Sequence, residues 1–346
     1  MKNNCSRIYS KYRIGGFKMS ILVCGGAGYI GSHMAAELLE RGKEIIIFDN
    51  FEKGHESAVL GGKVYKGDLR DENSVDRVFK ENNIESVIDF AAYSLVGESV
   101  GEPLKYFENN VVGTLNLLKS MRKYGVKYIV FSSTAATYGE PENIPIFEYD
   151  STYPTNPYGE SKLTVEKILK WSDKAYGIKY AALRYFNAAG AHISGLIGED
   201  HNPETHLIPI ILQVALKKRD KIYIFGDNYN TEDGTCVRDY IHVMDLANAH
   251  LLALDKIIQK GESGIYNLGN GKGFSVKEVI EVSRKVTGQK IKAEIAPRRE
   301  GDPGTLIASS KKAEEELNWK PKYNSLETII DTAWKWHKNH LNGFEK

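Results

Sequence analysis

Short apolar runs alternate with segments of helical periodicity through the first half of the chain. The runs that read as buried strands are 21–24, 44–48, 63–67, 86–90, 127–133 and 180–186. Between them, apolar residues recur at three- and four-residue spacing. This spacing predicts a helix that begins near residue 29, and further helices over 73–82, 111–124 and 157–176. Strands that alternate with helices in this way predict an α/β fold with a doubly wound parallel sheet.

The pattern changes after residue 188. Residues 188–205 contain glycine and proline with little periodicity, which is typical of an ordered functional loop. Beyond them the sequence predicts helices over 207–218, 243–254 and 276–287, strands over 222–226 and 265–268, and a polar loop over 228–238. We therefore expect a disordered extension over 1–18, a first domain over 19–188, and a smaller mixed α/β lobe over 189–346. Some segments of this lobe are expected to return to the first sheet.

A glycine-rich turn joins the first strand to the first helix. Gly25, Gly28 and Gly31 recur at three-residue spacing. The first permits a tight turn, the second lets the backbone approach a pyrophosphate, and the third lets helix and strand pack closely. The first helical turn, at Tyr29 and Ile30, offers unpaired N–H groups and the positive end of the helix dipole to phosphates. These features predict a Rossmann-type dinucleotide site.

The second strand ends in an acid. Asp49 lies roughly 20 residues past the glycine turn, where a carboxylate can accept hydrogen bonds from both hydroxyls of an adenosine ribose. A carboxylate repels a 2′-phosphate, and no arginine follows directly, so the sequence favours NAD over NADP. At the end of the fourth strand, the small Ala91 and Ala92 leave room for a cofactor to lie across the sheet edge.

The composition excludes several classes of protein. The hydrophobic share of 42% and the charged share of 26% are those of an ordinary globular protein. A net charge of +1 gives no electrostatic reason to bind nucleic acid or an anionic membrane. No apolar stretch reaches the roughly 18 residues that a membrane span needs. The three scattered cysteines predict neither a disulfide framework nor a metal cluster, and they fit a reducing cytoplasm. No residues have metal-ligand spacing, so no metal site is predicted.

A tyrosine and a lysine supply a candidate base. Tyr158 and Lys162 stand at i and i+4, hence on one face of the predicted helix 157–176. A free tyrosine has a pKa of about 10. One positive charge about 4 Å away is worth roughly 4 kcal/mol at an effective dielectric of ~20, or about three pKa units. We therefore expect Lys162 to lower the pKa of Tyr158 toward neutrality, with an oxidised nicotinamide lowering it further.

The ordered set Gly25-x-x-Gly28-x-x-Gly31, Thr134 and Tyr158-x-x-x-Lys162 resembles the extended short-chain dehydrogenase/reductase family. Further segments resemble its nucleotide-sugar 4-epimerase branch, namely 97–99, 109–111, 185–187, 231–234, 237–243 and 297–302. The likeness covers nearly everything from Met19 onward. It implies an isomerase that interconverts UDP-galactose and UDP-glucose through a transient 4-keto sugar with NAD bound throughout, and it leaves the N-acetylated pair open.

The resemblance also implies roles for individual residues. Tyr158 would take the proton from the sugar 4-hydroxyl, Thr134 would hydrogen-bond the 4-oxygen, and Lys162 would also hold the nicotinamide ribose. NAD would contact Gly25, Gly28, Tyr29, Ile30, Gly31, Asp49, Asn50, Lys53, Gly54, Asp68, Leu69, Phe90, Ala91, Ala92, Ser94, Asn109, Thr134, Tyr158, Lys162 and Phe186. The UDP-sugar would contact Thr134, Tyr158, Asn187, His206, Leu207, Tyr223, Phe225, Arg238, Arg299 and Asp302. Two arginines suit a diphosphate, which accepts bidentate contacts.

The domain organisation follows from the same resemblance. It implies that 19–188 binds NAD and that 189–346 binds the nucleotide sugar. It further implies a homodimer in which the helices over 111–124 and 157–176 pack against their mates.

Two alternatives stay open at this point. One is another epimerase or dehydratase of the same family, although a dehydratase needs a carboxylate directly after Thr134, where Ala135 and Ala136 stand. The other is a non-catalytic dinucleotide-binding sensor, which has no need of Tyr158 and Lys162 at helical spacing.

The chain also departs from the family pattern at a few positions. Ser94 stands where some members have a basic residue, and Lys53-Gly54 replaces a more polar pair beside the adenine ribose. Leu306 stands where a bulky aromatic residue restricts certain members to sugars without an acetyl group. UDP-N-acetylglucosamine therefore stays an open substrate.

Overall fold

The computed structural model of the protein describes residues 19–299 and 303–344. Its strands are β1 (Ser20–Cys24), β2 (Ile45–Asp49), β3 (Lys63–Lys66), β4 (Ile84–Asp89), β5 (Tyr128–Thr134), β6 (Lys179–Tyr185), β7 (Asn187–Ala189), β8 (Ile222–Phe225), β9 (Val237–His242), β10 (Gly264–Leu268), β11 (Gly273–Ser275), β12 (Ala293–Ala296) and β13 (Thr305–Leu306). Its helices are α1 (Tyr29–Glu40), α2 (Glu72–Glu81), α3 (Val96–Gly101), α4 (Pro103–Tyr106), α5 (Gly113–Tyr124), α6 (Pro157–Tyr176), α7 (Leu207–Ala215), α8 (Val243–Lys260), α9 (Val276–Thr287), α10 (Lys311–Leu317) and α11 (Leu326–Asn339).

Seven parallel strands of the described chain form the central sheet, in the order β10-β6-β5-β4-β1-β2-β3. The order along the chain reverses between β1 and β4. In a doubly wound sheet, ligands bind outside the carboxyl ends of the strands at such a reversal. The predicted α/β fold with a parallel Rossmann-type sheet is confirmed.

Helices cover both faces of this sheet. On one face α1 and α8 pack together and bury Met34, Leu38 and Leu246 against the strands. On the other face α2, α5 and α6 bury Leu117 and Val165. Because both faces are covered, the strands are apolar along their whole length, as the short runs in the sequence indicated.

The second half of the chain builds two small sheets and returns once to the large one. β9 lies between β11 and β13 and also pairs with β7, while β8 pairs with β12. A separate core that includes Ile208, Leu212 and Ile330 joins α7, α9 and α11 beneath these strands. The strand predicted over 265–268 is β10, which lies at the edge of the central sheet beside β6.

The predicted elements are largely confirmed, with shifts at their ends. The helices over 157–176 and 276–287 have the predicted bounds, and side chains cap both, with Asn156 accepting from the N–H of Gly159 and Ser275 from that of Glu278. The helix predicted over 243–254 continues to Lys260, where Gly261 ends it in the left-handed conformation. A π-helical segment, 107–112, leads into α5.

The sequence pattern did not predict several elements, namely β7, β9, β11, β12, β13, α3, α4 and α11. The loop predicted over 228–238 gives way to β9 at Val237. The strand partners of β9 are distant in sequence, so no local pattern revealed it.

Three further expectations concern the N-terminal extension, the domain boundary and membrane-spanning helices. The extension predicted over 1–18 lies outside the described residues, and the domain boundary at 188 stays a prediction. Within 19–299 and 303–344, no helix combines the length and apolarity that crossing a bilayer requires.

Candidate active site at the carboxyl ends of the parallel strands

The predicted site residues converge because their strands are parallel. Backbone N–H groups tie the strand ends together: that of Gly25 donates to the carbonyl of Phe48 at 2.9 Å, and that of Phe90 to the carbonyl of Cys24 at 2.9 Å. Thr134 ends β5 opposite Tyr185, the last residue of β6. One edge of the sheet therefore carries the glycine turn, Asp49 and Thr134, and the chain continues from β6 into Phe186 and Asn187.

The glycine turn has the geometry that the sequence predicted for two of its members. Gly25 has φ of +70°, and a Cβ there would lie 2.7 Å from the N atom of Ala91. A Cβ on Gly31 would overlap the carbonyl oxygen of Gly25. At Gly28 the nearest described atom would be 3.4 Å away, so the packing of the protein does not itself require glycine there. Gly28 is the N-cap of α1 and makes no side-chain cap, which leaves the first-turn N–H groups of the helix for an anion.

Asp49 is built into this turn. Its two carboxylate oxygens accept hydrogen bonds from the N–H of Ala27 at 2.9 Å and that of Phe51 at 2.8 Å. Burial raises the pKa of Asp49 above its ordinary value, and these two bonds oppose the rise. Each carboxylate oxygen has more than one lone pair, so acceptor capacity is left for ribose hydroxyls.

The neighbouring cofactor candidates are arranged around the same turn. The amide of Asn50 donates to Asp68 at 3.0 Å, and Arg70 binds Asp68 at 2.6 Å, which holds the pKa of that carboxyl well below its usual range. A Cβ on Gly54 would lie 2.7 Å from the carbonyl carbon of Ala27. Lys53 and Ser94 are exposed.

Tyr29 and Asn109 engage their side chains within the protein. The Tyr29 hydroxyl donates to the carbonyl of Gly190 at 2.6 Å and so ties α1 to the segment after β7. The Asn109 amide donates to the side-chain oxygen of Asn110 at 3.0 Å.

Tyr158, Thr134 and Lys162 come together as predicted. Tyr158 lies close enough to Thr134 for the threonine hydroxyl to oppose the rise in its pKa. Lys162 is only 2% exposed, and its ammonium group donates to the carbonyl of Ser132 at 2.8 Å. Burial lowers the pKa of Lys162 to about 8, although the carboxylates of Asp89 and Glu166 oppose the change.

The expected effect of Lys162 on Tyr158 is wrong for the protein by itself. Burial raises the pKa of Tyr158 above 10, and the hydrogen bond from Thr134 only partly opposes it. The ammonium group of Lys162 is instead directed to the carbonyl of Ser132. The spacing i, i+4 placed both groups on one helix face, but it carried no information about burial.

Sequence reasoning missed three polar residues around this group. Asp89 ends β4, is buried, and has its pKa raised to about 6 by that burial, with the charge of Lys162 opposing the rise. The hydroxyls of Ser132 and Tyr185 are hydrogen-bonded to each other. Only Asp89 left a signal, since an acid at the end of a buried strand is unusual enough to be noticed.

The predicted substrate residues lie on the two small sheets and at the start of α7. Asn187 donates to the carbonyl of Asp239 at 2.9 Å, and Arg238 is opposite Leu306 in the pairing of β9 with β13. On β8, the ring of Phe225 has the guanidinium of Arg299 4.0 Å above it.

The other substrate candidates vary in exposure. Tyr223 is 45% exposed and lies on β8, with its ring centroid 6.5 Å from that of Phe225. His206 precedes Leu207, the first residue of α7. Asp302 lies outside the described residues.

A comparison of the sequence with protein-family models identifies the family of this chain. The model of the NAD dependent epimerase/dehydratase family matches residues 21–269. The chain belongs to this family.

Relatives and solved structures agree with that assignment. The chain is 62% identical over 326 residues to a UDP-glucose 4-epimerase of Halalkalibacterium halodurans, a match that covers 94% of this chain and 98% of the relative. It is similar to a crystal structure of a UDP-glucose 4-epimerase with a TM-score of 0.93 and 55% identity, over 94% of this chain and all of the other. A structure from Bifidobacterium longum in complex with NAD+ and UDP has a TM-score of 0.89 and 44% identity, over 94% and 100% of the two chains. The resemblance seen in the sequence motifs is confirmed.

Proposed function

We propose that this member of the epimerase/dehydratase family uses NAD to interconvert UDP-galactose and UDP-glucose at carbon 4 of the sugar. The observation that carries the proposal is that Thr134 ends β5, while Tyr158 and the buried Lys162 lie one turn apart on α6, with the ammonium group of Lys162 bonded to the carbonyl of Ser132 in β5.

The residues present fit NAD. The uncapped first turn of α1 suits the pyrophosphate, and the close packing at Gly25 and Gly31 forms a cradle that any Cβ would fill. The Asp49 carboxylate, with its remaining lone pairs, suits the adenosine ribose. When bound, NAD supplies an oxidised nicotinamide that accepts a hydride from sugar carbon 4 and returns it.

The chain itself moves the proton. The Tyr158 oxygen takes the proton of the sugar 4-hydroxyl and later gives it back, and Thr134 hydrogen-bonds the reacting oxygen. Since burial alone raises the pKa of Tyr158, the phenolate needs a positive charge close by. Lys162, on the same helix as Tyr158, would supply part of this charge, and bound NAD would supply the rest through its cationic nicotinamide.

The UDP moiety is held by the second half of the chain. Arg238 and Arg299 suit the diphosphate, and Asn187 lies on the strand beside Arg238. Phe225, with Arg299 stacked over it, offers an aromatic face next to this cation. His206 and Leu207 supply further contacts at the start of α7.

The N-acetylated pair is a finer proposal that rests on Leu306. This residue is half-buried and lies opposite Arg238, one of the proposed diphosphate contacts. A leucine there takes less space than a tyrosine, so we propose that UDP-N-acetylglucosamine is also accepted.

We also propose a homodimer. Val112 at the end of the π-helical segment, Leu115 on α5 and Trp171 on α6 leave 42%, 37% and 65% of their surface exposed, and a second copy would cover these apolar side chains. Light scattering at micromolar concentration tests this, because a monomer would contradict it. A cytoplasmic location, supported by the buried cysteine thiols Cys24 and Cys236, completes the proposal.

The decisive experiment follows UDP-galactose by ¹H NMR with purified protein and no added cofactor. We expect UDP-glucose to appear with the unaltered protein, and Tyr158→Phe to lower the rate by about 10³-fold, within the range for a general acid–base group. The matched control is Tyr153→Phe, since Tyr153 is 76% exposed. If the rate of Tyr158→Phe stays within tenfold of that of the unaltered protein, the assignment of Tyr158 as the base is wrong. If the unaltered protein does not convert UDP-galactose at all, the proposed activity is wrong.

A further inference from the structure

Four potential metal ligands meet in the segment that leads into α7. They are Glu199, His201, Glu204 and His206, and their nearest ligand atoms all lie within 4.8 Å of one another. Nδ1 of His206 is 2.7 Å from Oε1 of Glu199 and 3.4 Å from Oε1 of Glu204. Nδ1 of His201 is 3.3 Å from Oε1 of Glu199 and 3.8 Å from Oε2 of Glu204.

These contacts leave two buried atoms without a hydrogen bond. Oε1 of Glu199 and Nδ1 of His201 are enclosed, and neither has a partner of acceptable hydrogen-bond geometry within the described part of the chain. The Glu199 side chain is 96% buried. A buried carboxylate without an aligned hydrogen bond is costly, and the two imidazole nitrogens at 2.7 and 3.3 Å from it are placed to share a cation with it.

The surrounding structure holds the ligands in place. Oε1 of Glu204 accepts hydrogen bonds from the N–H groups of Thr205 and His206, both at 2.8 Å. The carbonyl of Glu199 accepts from the indole of Trp336 at 3.2 Å. The rings of Tyr29 and His201 meet edge to face, with centroids 6.2 Å apart. The segment is therefore anchored to α1, α7 and α11 without help from a ligand.

We propose that Glu199, His201, Glu204 and His206 bind one Zn²⁺ ion. Two imidazole nitrogens and two carboxylate oxygens are a donor set that zinc accepts in tetrahedral geometry at about 2.0–2.2 Å, whereas Ca²⁺ and Mg²⁺ take oxygen ligands. Bonds of that length place tetrahedral ligands roughly 3.3–3.5 Å apart. The separations of 3.3 and 3.4 Å match this distance, whereas that of 2.7 Å is shorter and that of 3.8 Å is longer, so these side chains would shift slightly around a bound ion. Two carboxylates also balance the charge of a divalent ion.

Four protein ligands make the site closed, hence structural. It lies between Tyr29 at the start of α1 and Leu207 at the start of α7. A bound ion would cross-link residues 199–206 directly before α7 and add to the contacts that already anchor them. This cross-link would help to position His206 and Leu207, the proposed contacts of the UDP-sugar. An effect of the ion on nucleotide binding therefore rests on the proposed function, whereas the metal site itself does not.

Metal content tests the site directly. The full-length protein is treated with EDTA, dialysed against micromolar ZnCl₂, desalted, and analysed for zinc by mass spectrometry. We expect one equivalent per chain, and a loss of at least tenfold in His201→Gln and in Glu204→Gln. His55→Gln is the matched control, because His55 has nearly the same side-chain exposure as His201 (30% against 31%) and approaches Asp200 at 3.5 Å, yet lies outside the four ligands.

Zinc-edge X-ray absorption on the unaltered protein gives a second readout that needs no variant. The proposal requires a first shell of four nitrogen or oxygen atoms and no sulfur. It is overturned if the protein retains no zinc after dialysis, if the variants retain as much as His55→Gln does, or if the shell contains sulfur or six ligands. None of these measurements depends on epimerase activity, so the metal site and the proposed function can fail separately.

Discussion

The ammonium group of Lys162 donates a 2.8 Å hydrogen bond to the main-chain carbonyl of Ser132 near the end of β5. The hydroxyl of the same Ser132 is hydrogen-bonded to Tyr185. A strand backbone therefore fixes the position of this cation, while burial removes it from water and lowers its pKa to about 8. Lys162 is held charged near Tyr158 at a cost in stability, and this cost can be measured.

With NAD bound, Lys162→Met should make the Tyr158 phenolate harder to form, because the proposed function assigns part of the stabilising positive charge to Lys162. Removing an opposite charge raises a pKa by roughly one to three units, so at pH 7 the rate should fall by about tenfold or more. The pH profile of kcat/KM for UDP-galactose should shift to higher pH by that amount. The control is Lys167→Met on the exposed face of the same helix. An unshifted profile in Lys162→Met would mean that Lys162 acts only by binding.

The same substitution should change the pH dependence of unfolding. The folded-state pKa of Lys162, about 8, lies below the ordinary value of 10.5. Below pH 8 the lysine is charged in both states and the folded protein bears the full cost of roughly 3 kcal/mol, which disappears as pH rises toward 10.5. Urea unfolding should show that the stability of the unaltered protein relative to Lys162→Met increases from pH 7 to pH 10. A difference that is constant with pH would contradict this, because the packing of methionine does not titrate.

Alanine at two glycines of the turn should separate folding from cofactor binding. Gly31→Ala puts a Cβ into the Gly25 carbonyl and should destabilise the protein by about 1–3 kcal/mol or more. Gly28→Ala meets no described atom closer than 3.4 Å, so its melting temperature should stay near that of the unaltered protein while its NAD content falls. Calorimetry and the NAD released on denaturation are the measurements. Equal NAD content in Gly28→Ala would remove Gly28 from the proposed pyrophosphate site.

The buried ion pair of Glu166 and Arg184 should show strong coupling. Their side chains are 3% and 4% exposed and meet at 2.6 Å, and Glu166 also accepts a 2.5 Å hydrogen bond from Ser133. Arg184→Met leaves a buried charge without its partner, so we expect a loss of about 3–5 kcal/mol. The double variant Glu166→Leu/Arg184→Met should recover part of this loss. Urea unfolding of the unaltered protein, the two single variants and the double variant measures the coupling energy. If the losses of the two single variants add up to that of the double variant, the two side chains are not coupled.

Leu306 should decide between the acetylated and the non-acetylated sugar. Leu306→Tyr fills space opposite Arg238, so we expect turnover of UDP-N-acetylglucosamine to fall by at least tenfold while that of UDP-galactose changes little. Coupled assays with both substrates at saturation measure the ratio. If the unaltered protein does not turn over the acetylated sugar at saturation, the proposal for the open pocket is wrong. Leu306→Val serves as the control, because it keeps a small apolar side chain at this position.

Much of the structure of the first half of the chain could be predicted from the sequence. The strand and helix alternation, the turn at Gly25 and Gly31, and the acid at Asp49 depend on local spacing, and backbone geometry converts such spacing into structure directly. Tyr158 and Lys162 share a helix face for the same reason. The parallel arrangement of the strands then implies that their carboxyl ends, with Thr134 among them, meet at one edge.

The burial of side chains and the pairing of strands distant in sequence could not be predicted from local spacing. The pairing of β9 with β7 and β13 brings Asn187, Arg238 and Leu306 onto one small sheet, although more than a hundred residues separate the first from the last. The direction of the Tyr158 pKa depends on how much water the fold excludes, and the contacts of Glu199 with His201 and His206 depend on side-chain packing. Sequence alone determined which residues share a strand, a turn or a helix face, because that follows from the local period of the backbone. Only the tertiary structure decided which distant residues touch and which charges lose their water, because both are properties of the packed interior.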